Sequence, residues 1–232
     1  MPIAPPAQPS PWLRRLAARP ATLWPVKMLG TMGWIAAFFW LYFWVMRHPA
    51  PGTTAWVMPV TPVDLWIGVH DWAVVPYASL WFYVALAPAL ARDGRELRAY
   101  AGSAFALCAG GLLIFWAWPT AVPSFHVDWQ DFPTLAFLKS RDGGSNACPS
   151  LHVAFAVHSW AFVRVALQGV SAPRAAHVLN AAWAAIVVWS VFATRQHVLV
   201  DVVGGVAAGM ASVALARAML DRSARALTPC SA

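Results

Sequence analysis

Two short stretches of this chain hold side chains suited to phosphate chemistry. The first is Asn146-Ala147-Cys148-Pro149-Ser150-Leu151-His152. Pro149 suits the first turn of a helix, where its missing N–H costs nothing. Ser150 and His152 then fall in that turn, beside unpaired backbone N–H groups and the positive end of the helix dipole, a combination that holds phosphate readily. The second stretch runs Thr194-Arg195-Gln196-His197-Val198-Leu199-Val200-Asp201 and continues into Gly204-Gly205. His197 and Asp201 are four apart and share one face of a helix. The carboxylate can take one imidazole N–H and leave the other ring nitrogen free as a nucleophile. The glycines allow a neighbouring helix to come close.

These stretches sit in a chain of 232 residues that is 60% hydrophobic and only 11% charged. Soluble domains carry about 25% charged residues, so the composition points to an all-α membrane bundle. Fifteen tryptophans fit that reading, because Trp collects where headgroups meet water. The net charge of +7 does not indicate nucleic-acid binding. The basic residues fall between apolar runs and form no aromatic-interleaved stripe on a polar domain. Cys108, Cys148 and Cys230 show neither a disulfide framework nor zinc spacing.

Six apolar runs, at about 28–46, 72–91, 99–118, 149–168, 175–193 and 198–217, each approach the roughly 20 residues that cross a bilayer as a helix. No ten-residue alternation recurs, which argues against a closed barrel. The expected architecture is therefore a polytopic six-helix domain over 28–220, with a poorly ordered cytoplasmic lead (1–27) and a cytoplasmic tail (221–232). Residues 47–71 are expected along the membrane surface, and the 119–148 connection is long and polar enough to carry function.

With six spans, twelve of the sixteen Lys and Arg residues lie on the side of the termini. Only Arg47, Lys139, Arg141 and Arg195 lie opposite, so the termini are expected in the cytoplasm. Topology then brings both stretches to the outer face, because the fourth run starts there and the fifth ends there.

Cys148-Pro149-Ser150-Leu151-His152 and Arg195-Gln196-His197 with Asp201 resemble the second and third signature motifs of the type 2 phosphatidic acid phosphatase superfamily, which is haloperoxidase-like. The Ser-Leu-His form is most similar to its inositolphosphorylceramide-synthase-like branch. The resemblance implies a metal-independent, cofactor-free lipid phosphatase. In it His197 takes the phosphoryl group, Asp201 orients His197, and His152 protonates the departing alkoxide and later activates water or an acceptor alcohol. Ser150 and Arg195 would bind phosphate oxygens. The first family motif, a Lys followed seven residues later by Arg-Pro, is absent, and Val191 stands where the third motif carries arginine. Lys139 and Arg141 are the candidate replacements for the first motif, and Arg195 for the third motif's arginine.

The expected substrate is a lipid phosphate, handled in a bacterial inner membrane with the site on the periplasmic or extracellular face. Transfer of a phosphorylated headgroup to a lipid alcohol is the close alternative, and a non-catalytic transport or assembly protein the more distant one. Asp201 would cost about 2.5–3.5 kcal/mol at mid-span, so it needs a partner. His158 falls on a different helix face from His152 and reads as a packing residue or a helix–helix hydrogen bond.

Overall fold

The computed structural model describes residues 10–142 and 144–225. Ten helices are formed among them: α1 (Pro11–Ala18), α2 (Trp24–Arg47), α3 (Pro62–Trp66), α4 (Val74–Ala78), α5 (Leu80–Ala89), α6 (Gly94–Ala117), α7 (Pro133–Asp142), α8 (Leu151–Gly169), α9 (Arg174–Ala193) and α10 (Leu199–Arg225). The chain is an all-α membrane protein. Among the described residues, five segments are long and apolar enough to cross a bilayer: α2, Asp71–Ala89, α6, α9 and α10.

The fourth expected run, now α8, is not among those five. Its 19 residues include His152, His158, Ser159 and Arg164, which dilute its apolar character. Their setting accounts for the composition. α8 packs against α5, α6, α9 and α10, and His158 and Ser159 are fully buried. A helix wrapped by other helices has little lipid to satisfy, so polar residues are tolerated along it. As expected for His158, its Nδ1 lies 2.8 Å from the Ser212 hydroxyl of α10.

α8 and α10 come together through glycine. A Cβ on Gly205 would lie 2.5 Å from the Ser150 carbonyl oxygen and 2.9 Å from Val153 Cβ. One turn along, a Cβ on Gly209 would lie 2.7 Å from the Ala154 carbonyl. Two glycines four apart give α10 a flat strip against which the α8 backbone rests.

The N-terminal lead is better built than its proline content suggests. Lys27 is buried, and its Nζ donates to the carbonyls of Arg19 (2.7 Å), Ala89 (3.0 Å) and Ala91 (2.8 Å). Arg19 donates to Leu90 O at 3.1 Å and Arg15 to Val170 O at 2.8 Å. Helix C-termini expose carbonyls that no residue of the same helix can satisfy. Here three cations satisfy those ending α5 and α8, and thereby anchor residues expected to be loose. At the other terminus α10 runs on to Arg225, five residues into the expected tail; residues 1–9 and 226–232 lie outside the described residues.

At the opposite end of the bundle the long connections cross-link. Strands β1 (Trp56–Val57) and β2 (Thr120–Ala121) pair in parallel, Trp56 with Thr120 and Val57 with Ala121. Ala121 also bridges Ser145. These contacts tie the 47–71 and 119–148 connections over the start of α8.

Gly205→Ala should lower the thermal stability of the purified protein by about 1–3 kcal/mol, because the new methyl must push the α8 backbone away. Gly110→Ala, which meets nothing within 4 Å, should be neutral. Equal melting of the two variants would contradict this packing.

Candidate active site

The two motifs meet where α8 and α10 begin. Ser150 is the N-cap of α8: its hydroxyl accepts from Val153 N–H at 3.2 Å and its carbonyl from Ala154 N–H at 2.9 Å. Its own N–H donates to the backbone carbonyl of Asp201, 3.0 Å away. Pro149 therefore precedes the cap instead of sitting in the first turn, two residues ahead of Leu151. By helix geometry the next two N–H groups, of Leu151 and His152, have no partner inside α8.

His197 also falls outside its helix, two residues ahead of it, because α10 opens at Leu199. The imidazole precedes the helix, and Asp201 occupies the third helical position. The pair still meets: His197 Nδ1 lies 3.6 Å from Asp201 Oδ2. That is an ion-pair separation, longer than a hydrogen bond. Asp201 Oδ2 accepts the Val198 N–H at 2.9 Å, so the carboxylate both closes the helix start and faces the ring. Asp201 is fully buried, and its Oδ1 has no partner.

His152 lies flat on the Tyr77 ring, with centroids 4.1 Å apart and planes 12° from parallel. Its Nε2 has no partner. His152 and His197 line one cavity of about 190 Å³. The remaining polar lining comes from Tyr42, Tyr77, Ser145 and Asn146.

Asn146 belongs to the first motif, and its residue type alone points to no role there. It is buried in the left-handed region (φ 56°), which Asn tolerates better than most residues. Its Nδ2 has no partner. A buried amide donor beside two imidazoles is a ready anion ligand. Its spacing carried no signal for this, since a lone Asn before a helix is ordinarily a turn residue.

The expected phosphate ligands divide differently. Ser150 is fully buried as a helix cap and does not line the cavity. Arg195 does not line it either. Its Nη1 donates to the Asp64 carbonyl, and its guanidinium lies 4.4 Å from the centroid of the Phe125 ring. Lys139 Nζ donates to the Arg195 carbonyl and lies 5.8 Å from the centroid of the Trp129 ring. These cations brace the loop that carries His197, because buried backbone carbonyls near them need donors. The side chain of Arg141 lies outside the described residues. Among the described residues no three His, Cys, Asp or Glu side chains gather as a metal site.

Asp64 is the second residue that sequence reasoning missed. It is buried, and its Oδ2 accepts the N–H and hydroxyl of Thr61, both at 2.7 Å. Its Oδ1 accepts Leu199 N–H at 2.8 Å. Asp64 and Asp201 thus divide the first two donors of the His197 segment and α10 between them. A carboxylate capping a helix 135 residues away leaves no local pattern.

Residues 55–215 match the family model of the PAP2 superfamily. The chain belongs to this superfamily. No curated protein and no solved structure matches it. PAP2 membership supports a phosphatase-like activity on lipid phosphates, and the match takes in both histidines, Asp64, Asn146 and Asp201. Helix α2, which contributes Tyr42 to the cavity, precedes the PAP2 match.

Asp64→Ala should strip acceptors from Thr61 and Leu199 and lower stability by about 2–3 kcal/mol, with Asp64→Asn milder. A melting temperature unchanged in Asp64→Ala would remove Asp64 from this framework.

Proposed function

We propose that the protein hydrolyses a lipid phosphate ester or anhydride through a phosphohistidine at His197. The observation that supports this best is the shared cavity: two imidazoles and one unpartnered amide donor, with Asp201 behind one ring. Nδ1 of His197 faces the carboxylate, so Nε2 is the nitrogen that attacks. As the N–P bond forms, the P–O bond to the lipid breaks, and a proton on His152 goes to the departing oxygen. His152 then takes a proton from water as the water oxygen attacks phosphorus. The N–P bond breaks, and phosphate leaves with His197 restored. Positioned acid–base groups of this kind contribute about 10²–10⁴-fold.

In place of the missing cationic motif, we assign the phosphate oxygens to Asn146 Nδ2 and the N–H groups opening α8, at the positive end of its dipole. Arg195 and Lys139 act one step back, holding the His197 loop. The Ser-Leu-His sequence favours the inositolphosphorylceramide-synthase-like branch, in which a lipid alcohol replaces water as acceptor. We read α8 as one more span, the fourth of six in chain order and enclosed by the others, with both termini cytoplasmic and the site at the periplasmic or extracellular face of a bacterial inner membrane.

His197→Ala should cut phosphate release from a lipid phosphate panel by about 10³-fold or more while leaving folded protein. Surviving activity would refute the mechanism, and a new phospholipid in place of free phosphate would identify transfer. A reporter fused after residue 232 should read as cytoplasmic; an external reading would reverse the orientation.

A further inference from the structure

Helix α3 has two faces of opposite character. Its residues are Pro62-Val63-Asp64-Leu65-Trp66. Asp64 and Trp66 are two apart, about 200° around a helix of 3.6 residues per turn, so one faces out when the other faces in. Asp64 is 1% accessible, whereas Leu65 is 67% and Trp66 86% accessible. Among the described residues, Trp66 is the most exposed large apolar side chain. An indole suits the boundary between headgroups and hydrocarbon, where its ring lies in the apolar layer and its N–H in the wet one.

The neighbour of Trp66 fixes the level of α3 along the bundle. Ile67 packs against the buried cluster of Val153, Val191, Phe192 and Val202. It also lines a hollow of about 380 Å³ with Ala184, Val188, Trp189 and Phe192 of α9. From Phe192 to Ala184 the span descends about 12 Å at 1.5 Å per residue. Farther on, His70 N–H donates to the carbonyl of Ala193, the last residue of α9, at 3.1 Å. Trp72 then stacks on Trp189, with centroids 5.1 Å apart. The chain from Trp66 to Trp72 therefore runs beside the end of a membrane span. The exposed side of α3 continues the lipid-facing surface that α9 presents through Leu179, Trp183 and Ile186.

The inner side of α3 grips the histidine loop. The Asp64 carbonyl accepts from Arg195 Nη1, and Asp64 Oδ1 accepts Leu199 N–H at 2.8 Å. These donors stand two residues before and two residues after His197. Asp64 Oδ2 meanwhile closes α3 on Thr61 as a capping box. Asp64 and Trp66 thus belong to one stiff turn, and what holds the indole also holds the carboxylate.

We propose that the lipid surface is a working partner of the site. Leu65 and Trp66 seat α3 in the headgroup layer, and the seat keeps Asp64 on both flanks of His197. A bilayer then favours the arrangement in which the imidazole is aimed into the cavity. The effect on turnover rests on the hydrolytic reading of the histidines, whereas the seat and the grip do not.

The test uses full-length protein in phosphatidylcholine vesicles. A nitroxide on Trp66→Cys, with Cys108, Cys148 and Cys230 changed to serine, should collide more with molecular oxygen than with a water-soluble nickel chelate. Leu65→Cys gives a second reading where the first variant folds poorly. With the native cysteines present, Trp66→Ser should speed amide exchange at Leu199 by about tenfold. It should also slow turnover of p-nitrophenyl phosphate, which needs no bilayer to reach the site, by about tenfold in kcat with KM little changed. Trp66→Phe should keep both near wild type. A label that meets the nickel chelate more than oxygen would overturn the inference. So would exchange or kcat unmoved by Trp66→Ser in an active preparation. The expected label and exchange, with no phosphate released by the wild type, would uphold the seat and refute the hydrolytic reading instead.

Discussion

A single backbone hydrogen bond, from Ser150 N–H to the Asp201 carbonyl, joins the first turns of α8 and α10. Everything at the site depends on that junction. It can form only because Gly205 leaves no side chain between the two backbones. Once it forms, the residues flanking each end are fixed relative to one another. His152 is one step inside α8 and His197 two steps ahead of α10, and both rings reach the same cavity. The glycine strip belongs to membrane helix packing, where close approach of backbones substitutes for the hydrophobic effect.

The junction also explains how carboxylates are distributed. Each helix start brings unsatisfied N–H groups into a poorly hydrated region, where an unmade hydrogen bond is costly. α8 uses the Ser150 hydroxyl, and α10 uses Asp201 and the distant Asp64. Asp201 therefore serves fold and chemistry at once. The same oxygen, Oδ2, closes the helix and lies 3.6 Å from His197 Nδ1. The basic side chains follow the same economy of donors and acceptors. Lys27, Arg19 and Arg15 meet carbonyls at one end of the bundle, Lys139 and Arg195 at the other.

The sequence made the helices and the pairing of the two motifs legible, because apolar length and span parity are simple constraints. Five of the six expected runs have the length and apolar character of spans. α8 diverges because His152, His158 and Arg164 dilute it, and its burial within the bundle is a tertiary property. The helix starts lie two residues later than the sequence suggests in each motif, so Pro149 and His197 both precede their helices. A proline before a serine does not specify which residue caps, and a His four before an Asp does not specify where the helix opens. Phosphate-ligand roles for Ser150 and Arg195 followed from residue type and the family resemblance. The fold engages their polar atoms in capping and bracing. Asn146 and Asp64 were invisible because their meaning lies in partners, or in the lack of one, that only the folded chain brings near. The anchoring of residues 10–27 was hidden for the same reason, since its acceptors are the C-terminal carbonyls of other helices.

Two imidazoles sharing one phosphorus atom is the central claim, and a trapped intermediate tests it most directly. In His152→Ala the base for the second step is missing, whereas a nitrophenolate leaving group needs no acid for the first. Rapid quenching of this variant with p-nitrophenyl phosphate should leave acid-labile phosphate on His197, located by mass spectrometry of the peptide. Phosphate carried by another residue, or steady turnover by His152→Ala with no phosphoenzyme at all, would contradict the account.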